Sequence, residues 1–194
     1  MKQKLIGITG FARSGKDTAY QRSKLILEKD GYQSCRFAFA DELKRESDPF
    51  LLEHVNISAF TENSEEKEII RPFLVTYGTQ IRRRLDENCW IKTIQDRVIE
   101  KLNQNYFVFI TDVRFKNEAE WIKLNGGKLI NISREGIKPA NHEEHKQYHF
   151  MKSFIDYNIL WETFGANDLE SCDPHLIPVL SHIVQSEPIV QQLM

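Results

Sequence analysis

Cysteine is scarce in this chain and poorly placed for structural chemistry: Cys35, Cys89 and Cys172 are odd in number, far apart and form no CxxC pair. That excludes a disulfide framework and a zinc ribbon and leaves buried or idle thiols. Charge of one sign is also lacking. The formal net charge is −2 and the sequence pI about 6.3, so no global basic field exists for nonspecific nucleic-acid binding, whereas a small anion needs only local cations. Long hydrophobic runs, a signal-peptide core and lipidation motifs are missing, and Met1-Lys2-Gln3-Lys4 runs straight into the first apolar stretch. A cytoplasmic protein without nucleic-acid or membrane partners is therefore expected. What is present suffices for a core: 41% of the 194 residues are hydrophobic, without internal repeat or low-complexity tract. That fits one domain, 1–194, with small insertions.

The most telling segment is Gly10-Phe11-Ala12-Arg13-Ser14-Gly15-Lys16-Asp17-Thr18, directly after the apolar Leu5-Ile6-Gly7-Ile8-Thr9. Two glycines at this spacing let the backbone curl so that several N–H groups surround one anion. The helix that follows points its positive end there, and Lys16 adds a full charge. Gly10, Arg13, Ser14, Gly15, Lys16, Asp17 and Thr18 are thus candidates for binding ATP. The bland alternative is a glycine-rich strand-to-helix turn that binds nothing. Asp17 stands where a phosphate loop normally carries the Ser or Thr that touches Mg2+. Either Asp17 holds the ion through water, or Thr18 and a second acid share the task.

Short β-rich runs alternate with longer helical patterns, which predicts a five-stranded parallel sheet flanked by helices. The further strands are expected at 34–39, 106–111, 128–133 and 154–159. The stretch 41–105 is too long for a simple crossover and reads as a helical insertion broken at Pro49, Asn56 to Ser58 and Pro72, lying over the strand ends. Segment 134–152 is polar, with Gly136, Pro139 and three histidines, and reads as a mobile lid. The tail 176–193 reads as a closing helix interrupted by Pro178 and Pro188.

Asp112 ends the third predicted strand, where phosphate-loop proteins place the acid for magnesium or its waters, and Arg114 sets a guanidinium at the same edge. The alternative is that Asp112 caps a helix and Arg114 makes a surface ion pair. Asp41, Leu43 and Lys44 follow the second strand on the ligand edge, with helix capping the other reading of Asp41. In the insertion, Arg71 precedes Pro72, then come Gly78-Thr79-Gln80 and Arg82, Arg83 and Arg84. Successive helical positions differ by about 100°, so these three arginines cannot share one direction: one or two face a cleft, with Arg83 carried as a substrate-binding candidate, and the rest face water. Trp90 suits core packing or stacking on a base. Arg134 ends the fourth strand and is the candidate cation for the transferring phosphoryl group. His142, His145 and His149 form no zinc motif, and no role is assigned to them.

With these residues assembled, the chain resembles the deoxynucleoside monophosphate kinases of tailed bacteriophages, within the phosphate-loop (P-loop) nucleoside monophosphate kinase group. The resemblance rests on Gly10 to Thr18 with its GKDT ending, Ala40-Asp41-Glu42-Leu43-Lys44, Arg71, Tyr77-Gly78-Thr79-Gln80, Trp90-Ile91-Lys92 and Asp112-Val113-Arg114-Phe115-Lys116-Asn117-Glu118. Gly126-Gly127, Arg134-Glu135-Gly136 and Asp156-Tyr157-Asn158-Ile159 extend it. It implies that Asp17 is normal for the group, that Asp17 and Asp112 serve Mg2+, and that 41–105 binds the monophosphate under the short lid. Lys44, Arg71, Gly78, Thr79, Trp90, Asp112, Arg114 and Glu118 would hold the monophosphate, and Lys16, Arg114 and Arg134 would act on the phosphates. Homodimers occur in the group. The implied activity is phosphorylation of a deoxynucleoside 5′-monophosphate by ATP. A kinase for another phosphorylated acceptor, of the phosphomevalonate or dephospho-coenzyme A type, would share the donor loop, as would a nucleotide-binding switch. The chain departs from the group at Arg134-Glu135-Gly136, where Arg-Pro-Gly is usual, at Asn141-His142-Glu143-Glu144-His145 in the lid, and at Asn158-Ile159-Leu160-Trp161, which replaces an Asn-Asp-Gly turn.

Overall fold

The computed structural model describes residues 4–139, 142–162 and 168–185, with backbone only for 142–144. Strands β1 (Leu5–Thr9), β2 (Ser34–Phe37), β3 (Phe107–Ile110), β4 (Lys128–Arg134) and β5 (Tyr157–Trp161) form one parallel sheet in the order β2-β3-β1-β4-β5. This is the expected P-loop α/β sheet. β1 and β3 are buried along their whole length, which is why both are continuously apolar instead of alternating. The strand order reverses at β1, so its carboxyl end lies in the crevice where open α/β sheets receive ligands.

Ile6, Ile8, Phe107, Phe109, Ile130 and Ile132 pack on α1 (Lys16–Lys29) and α8 (Asp173–Gln185) through Ala19, Leu27, Leu176, Leu180 and Ile183. Gly7, between Ile6 and Ile8, faces the other side, against Ile122 of α6 (Lys116–Leu124). Helices thus cover both faces. α1 and α8 are fastened by Arg22, which donates from Nε and Nη2 to the two carboxylate oxygens of Asp173 at 2.8 and 2.6 Å, with both side chains largely buried. α7 (His142–Met151) packs on α6 and leads through a 3₁₀ turn, Lys152–Phe154, toward β5.

The chain divides into two compact units, one comprising 1–37 and 98–194 and the other 38–97. The second is helical: α2 (Phe39–Val55), α3 (Ser64–Val75), a π-helix (Thr76–Arg82), a single turn α4 (Arg83–Leu85) and the first part of α5 (Cys89–Asn103). Leu51, Ala59 and Ile70 form its core with Ile57, Phe73 and Leu74 around them. α2 ends at Asn56 in the left-handed conformation, and α3 starts at Asn63, whose side chain accepts from the N–H groups of Glu65 and Glu66.

Several local expectations differ from the structure. Pro49 and Pro72 lie inside α2 and α3 instead of breaking them. Both prolines are exposed, as are Arg45 and Glu68 four residues earlier, so water can serve the carbonyls that lose their helical partner. β5 begins at Tyr157, not at 154, because the 3₁₀ turn occupies 152–154 and Asp156 first closes on Leu129 in both directions, through its amide and its carboxylate. β2 ends at Phe37, not at 39, because α2 has begun at Phe39; the segment 134–152 expected as a lid holds the end of β4 and a regular helix. Of the tail, α8 continues through Pro178, while the part beyond Gln185, with Pro188, lies outside the described residues. Burial pushes the thiols of Cys35 and Cys172 up to about 11, so they stay protonated and inert at neutral pH.

The Arg22 guanidinium holds the Asp173 carboxyl below its ordinary range. A carboxyl depressed in the folded state stabilises the fold above its unfolded pKa of about 3.9 and loses that contribution as pH falls below it. Asp173→Asn is expected to cost about 2 kcal/mol at pH 7 and to flatten the decline of urea stability between about pH 5 and pH 3. Urea titrations at the two pH values check this.

Candidate active site

The chemistry-bearing residues fall into two sets, one in each unit. In the sheet unit, the turn from Gly10 to Gly15 joins β1 to α1 with three residues at positive φ: Gly10 at 142°, Arg13 at 64° and Gly15 at 93°. Gly10 cannot be replaced without disruption, because a Cβ there would sit 2.1 Å from the Ile132 carbonyl oxygen on β4. Gly15 is the N-cap of α1 and packs on the Trp161 ring, where a Cβ would come within 2.9 Å. Ser14 is fully buried, and its Oγ has no hydrogen-bond partner among the described residues. The ammonium of Lys16 curls back over the turn and donates to the carbonyls of Gly10 and Phe11 at 2.9 and 2.8 Å. A cation held across the mouth of a backbone turn at a helix N-terminus is a site for an anion.

Asp17 and Thr18 follow in the first turn of α1, Asp17 exposed. Asp112 is half-buried directly after β3, and Arg114 is exposed. Carboxylates such as these are the donor type that a hard ion like Mg2+ prefers. No group of three or more His, Cys, Asp or Glu among the described residues is placed to hold a metal ion. Glu118 is 1% exposed and accepts from the N–H groups of Arg114 and Phe115 at 2.8 and 3.0 Å. It therefore shapes the turn that carries Arg114.

Arg134 closes β4 opposite Trp161 of β5. From α7, the Tyr148 ring packs tilted against Phe11 of the phosphate loop with centroids 4.9 Å apart, and its hydroxyl accepts from Asn131 Nδ2. The segment expected as a mobile lid thus includes a helix that contacts the loop. His145 and His149 are exposed, and the side chain of His142 and all of Asn141 lie outside the described residues.

In the helical unit, Asp41, Leu43 and Lys44 occupy the start of α2. Leu43 packs where Gly78 has no side chain: a Cβ at Gly78 would meet Leu43 Cδ2 at 2.7 Å. Trp90 is 2% exposed and donates its indole N–H to the Gly78 carbonyl at 3.2 Å. Burial makes Trp90 an inward-packed support of the π-helix that carries Thr79, and π-turns of this kind favour functional sites. The Lys44 ammonium lies over the Phe60 ring at 5.5 Å. Arg71 is exposed and pairs with Glu68 at 3.3 Å, and Arg83 donates to the Glu87 carbonyl at 3.4 Å. Leu43, Gly78 and Trp90 are brought together, whereas these contacts of Arg71 and Arg83 are to residues within four positions in sequence.

Known proteins bear on these two sets. A family model described as deoxynucleotide monophosphate kinase matches residues 45–149. A relative in Acanthamoeba polyphaga mimivirus described as "Putative deoxynucleotide monophosphate kinase" is 30% identical, covering 80% of this chain and 86% of its own. The chain belongs to the deoxynucleotide monophosphate kinase family. It is a nucleotide kinase, and thus a phosphotransferase. The solved dephospho-CoA kinase from Campylobacter jejuni shares the fold, with a TM-score of 0.52 at 17% identity over 95% of this chain and 98% of that one.

Two features of this family member escape a reading of the sequence. Trp161 donates its indole N–H to the Ser14 carbonyl at 2.9 Å, and a cavity of about 720 Å³ beside it is lined by Glu135, Leu160, Glu162, Asp168, Ser171 and His175. Three carboxylates make that cavity unsuited to phosphate. The signal for Trp161 is the departure from the group pattern at Asn158-Ile159-Leu160-Trp161, within β5, which marks a changed neighbour of the loop.

Gly10→Ala adds a methyl group against backbone at a φ that L-residues avoid. It is expected to destabilise the fold by more than about 1 kcal/mol and to weaken nucleotide binding at least about tenfold. Chemical denaturation and titration with ATP check both.

Proposed function

We propose that the protein transfers the γ-phosphoryl group of ATP, taken as its magnesium complex, to the 5′-phosphate of a deoxynucleoside monophosphate, giving ADP and the diphosphate. The observation that carries this reading is the Gly10 to Lys16 turn, with its ammonium poised over the loop carbonyls, in a chain of the deoxynucleotide monophosphate kinase family. An oxygen of the acceptor phosphate attacks the γ-phosphorus while the bond to the β,γ-bridging oxygen breaks, and the electron pair leaves with ADP. The acceptor is already anionic, so no strong protein base is needed. What the reaction needs is in-line placement and positive charge against the repulsion of two phosphates.

In this reading Lys16 leaves the Gly10 and Phe11 carbonyls for the β- and γ-phosphates, and the N–H groups of the turn and of the first turn of α1 bind the chain. Asp17 and Asp112, with Thr18 as the alternative to Asp17, would hold Mg2+, which would supply positive charge against the phosphate oxygens. Arg114 and Arg71 receive the acceptor phosphate, Arg134 the moving group, and Asp41, Leu43, Lys44, Thr79 and Arg83 surround the nucleoside. Gly78, Trp90 and Glu118 act through the backbone they shape. Exclusion of water around the phosphates limits wasteful ATP hydrolysis. The motifs support a bacteriophage-type member that supplies precursors for DNA synthesis.

Lys16→Ala is expected to lower kcat at least about 100-fold with native circular dichroism; unchanged transfer in that variant refutes the donor assignment. A screen of labelled ATP and magnesium against the deoxynucleoside monophosphates is expected to yield labelled diphosphate. Label passing to dephospho-coenzyme A and to none of the monophosphates overturns the acceptor assignment.

A further inference from the structure

The orientation of one peptide group in the phosphate loop is set by a residue far away in sequence. Trp161, at the end of β5, is 1% exposed, and the only polar hydrogen of its side chain goes to the Ser14 carbonyl at 2.9 Å. Its ring fills the space beneath Gly15 so closely that even a methyl group on Gly15 would meet Cζ2 at 2.9 Å. The strand end is itself fixed, since Trp161 stands opposite Arg134 in the sheet and its carbonyl accepts from the Glu135 N–H at 3.1 Å.

No peptide bond among the described residues is cis. In a trans peptide the carbonyl and the following N–H point to opposite sides. With the Ser14 carbonyl drawn onto the indole, the Gly15 N–H is turned away from Trp161 and from β5. Glycine tolerates both orientations of such a peptide, so Gly15 itself makes no choice between them; the indole N–H makes it.

We propose that Trp161 is a positioning residue for ATP: by holding the Ser14 carbonyl it keeps the Gly15 N–H turned outward to the incoming phosphate chain. This rests on the loop being the ATP site. Because the Trp161 carbonyl also accepts from Glu135, the loop and the turn after Arg134 share one anchor.

The test replaces Trp161 in the full chain by Phe and, separately, by 3-benzothienylalanine, which keeps the double ring and exchanges the N–H for sulfur. The second variant preserves the packing should Trp161→Phe fold poorly. With the hydrogen bond lost, KM for ATP is expected to rise about tenfold, while KM for the accepted monophosphate stays near that of the wild type. In ¹H–¹⁵N spectra the wild-type Gly15 amide shifts on addition of ATP or of inorganic tripolyphosphate, and the variants show a smaller shift. A role in folding alone moves the melting temperature and leaves the KM for ATP and the Gly15 response as in the wild type; that result in the benzothienyl variant overturns the proposal and leaves the ATP site standing. A wild-type Gly15 amide that ignores both ATP and tripolyphosphate overturns the ATP site and the proposal with it.

Discussion

The shape of the turn between β1 and α1 is held from below: the Ser14 carbonyl accepts from the Trp161 indole, and Gly10 lies directly on the Ile132 backbone. The Lys16 ammonium, which bridges the Gly10 and Phe11 carbonyls across the mouth, is the one support that the proposed reaction releases to the phosphates. These supports require β1 to lie beside β4, and β4 beside β5, with all three strands parallel, so that their carboxyl ends meet at one edge. The sheet order is therefore part of the site and not only its scaffold.

Charged side chains divide by how firmly they are held. Arg22 is buried and bidentate with Asp173, and removing either partner leaves an uncompensated charge, so this pair belongs to the fold. Glu118, buried on two backbone N–H groups, is fixed in the same sense. Arg71, by contrast, is tied to Glu68 by an exposed pair, an interaction worth about 0–1 kcal/mol. A phosphate can claim such an arginine at little cost, which is the property a cation needs if it serves the acceptor.

The loop was legible because its requirements are local: glycine at positive φ, lysine after the second glycine, a strand before and a helix after. The parallel sheet was legible from continuously apolar strands such as Phe107 to Ile110. Legibility failed where a residue's meaning depends on its surroundings. Pro49 and Pro72 read as helix breaks, yet each stands on an exposed face where water serves the bereft carbonyl. β5 starts later than the sequence pattern suggests because Asp156 closes on Leu129 before the strand pairs, a contact across 27 residues. Tyr148 lies in a polar stretch without local signal for a partner, and only the packed structure brings its ring against Phe11. Trp90 left two readings open in the sequence, and burial against the Gly78 carbonyl favours packing.

The sequence by itself determined the phosphate-loop turn, the α/β class and the membership that its motifs announce, since these follow from short spacings and from the hydrophobic period of single elements. Tertiary structure decided which neighbour orients the loop, whether Trp90 and Glu118 shape backbone or face outward, and how α7 rests on the phosphate loop. Those outcomes depend on side chains brought together from distant strands and helices, and no local pattern encodes a hydrogen bond between residues 147 positions apart.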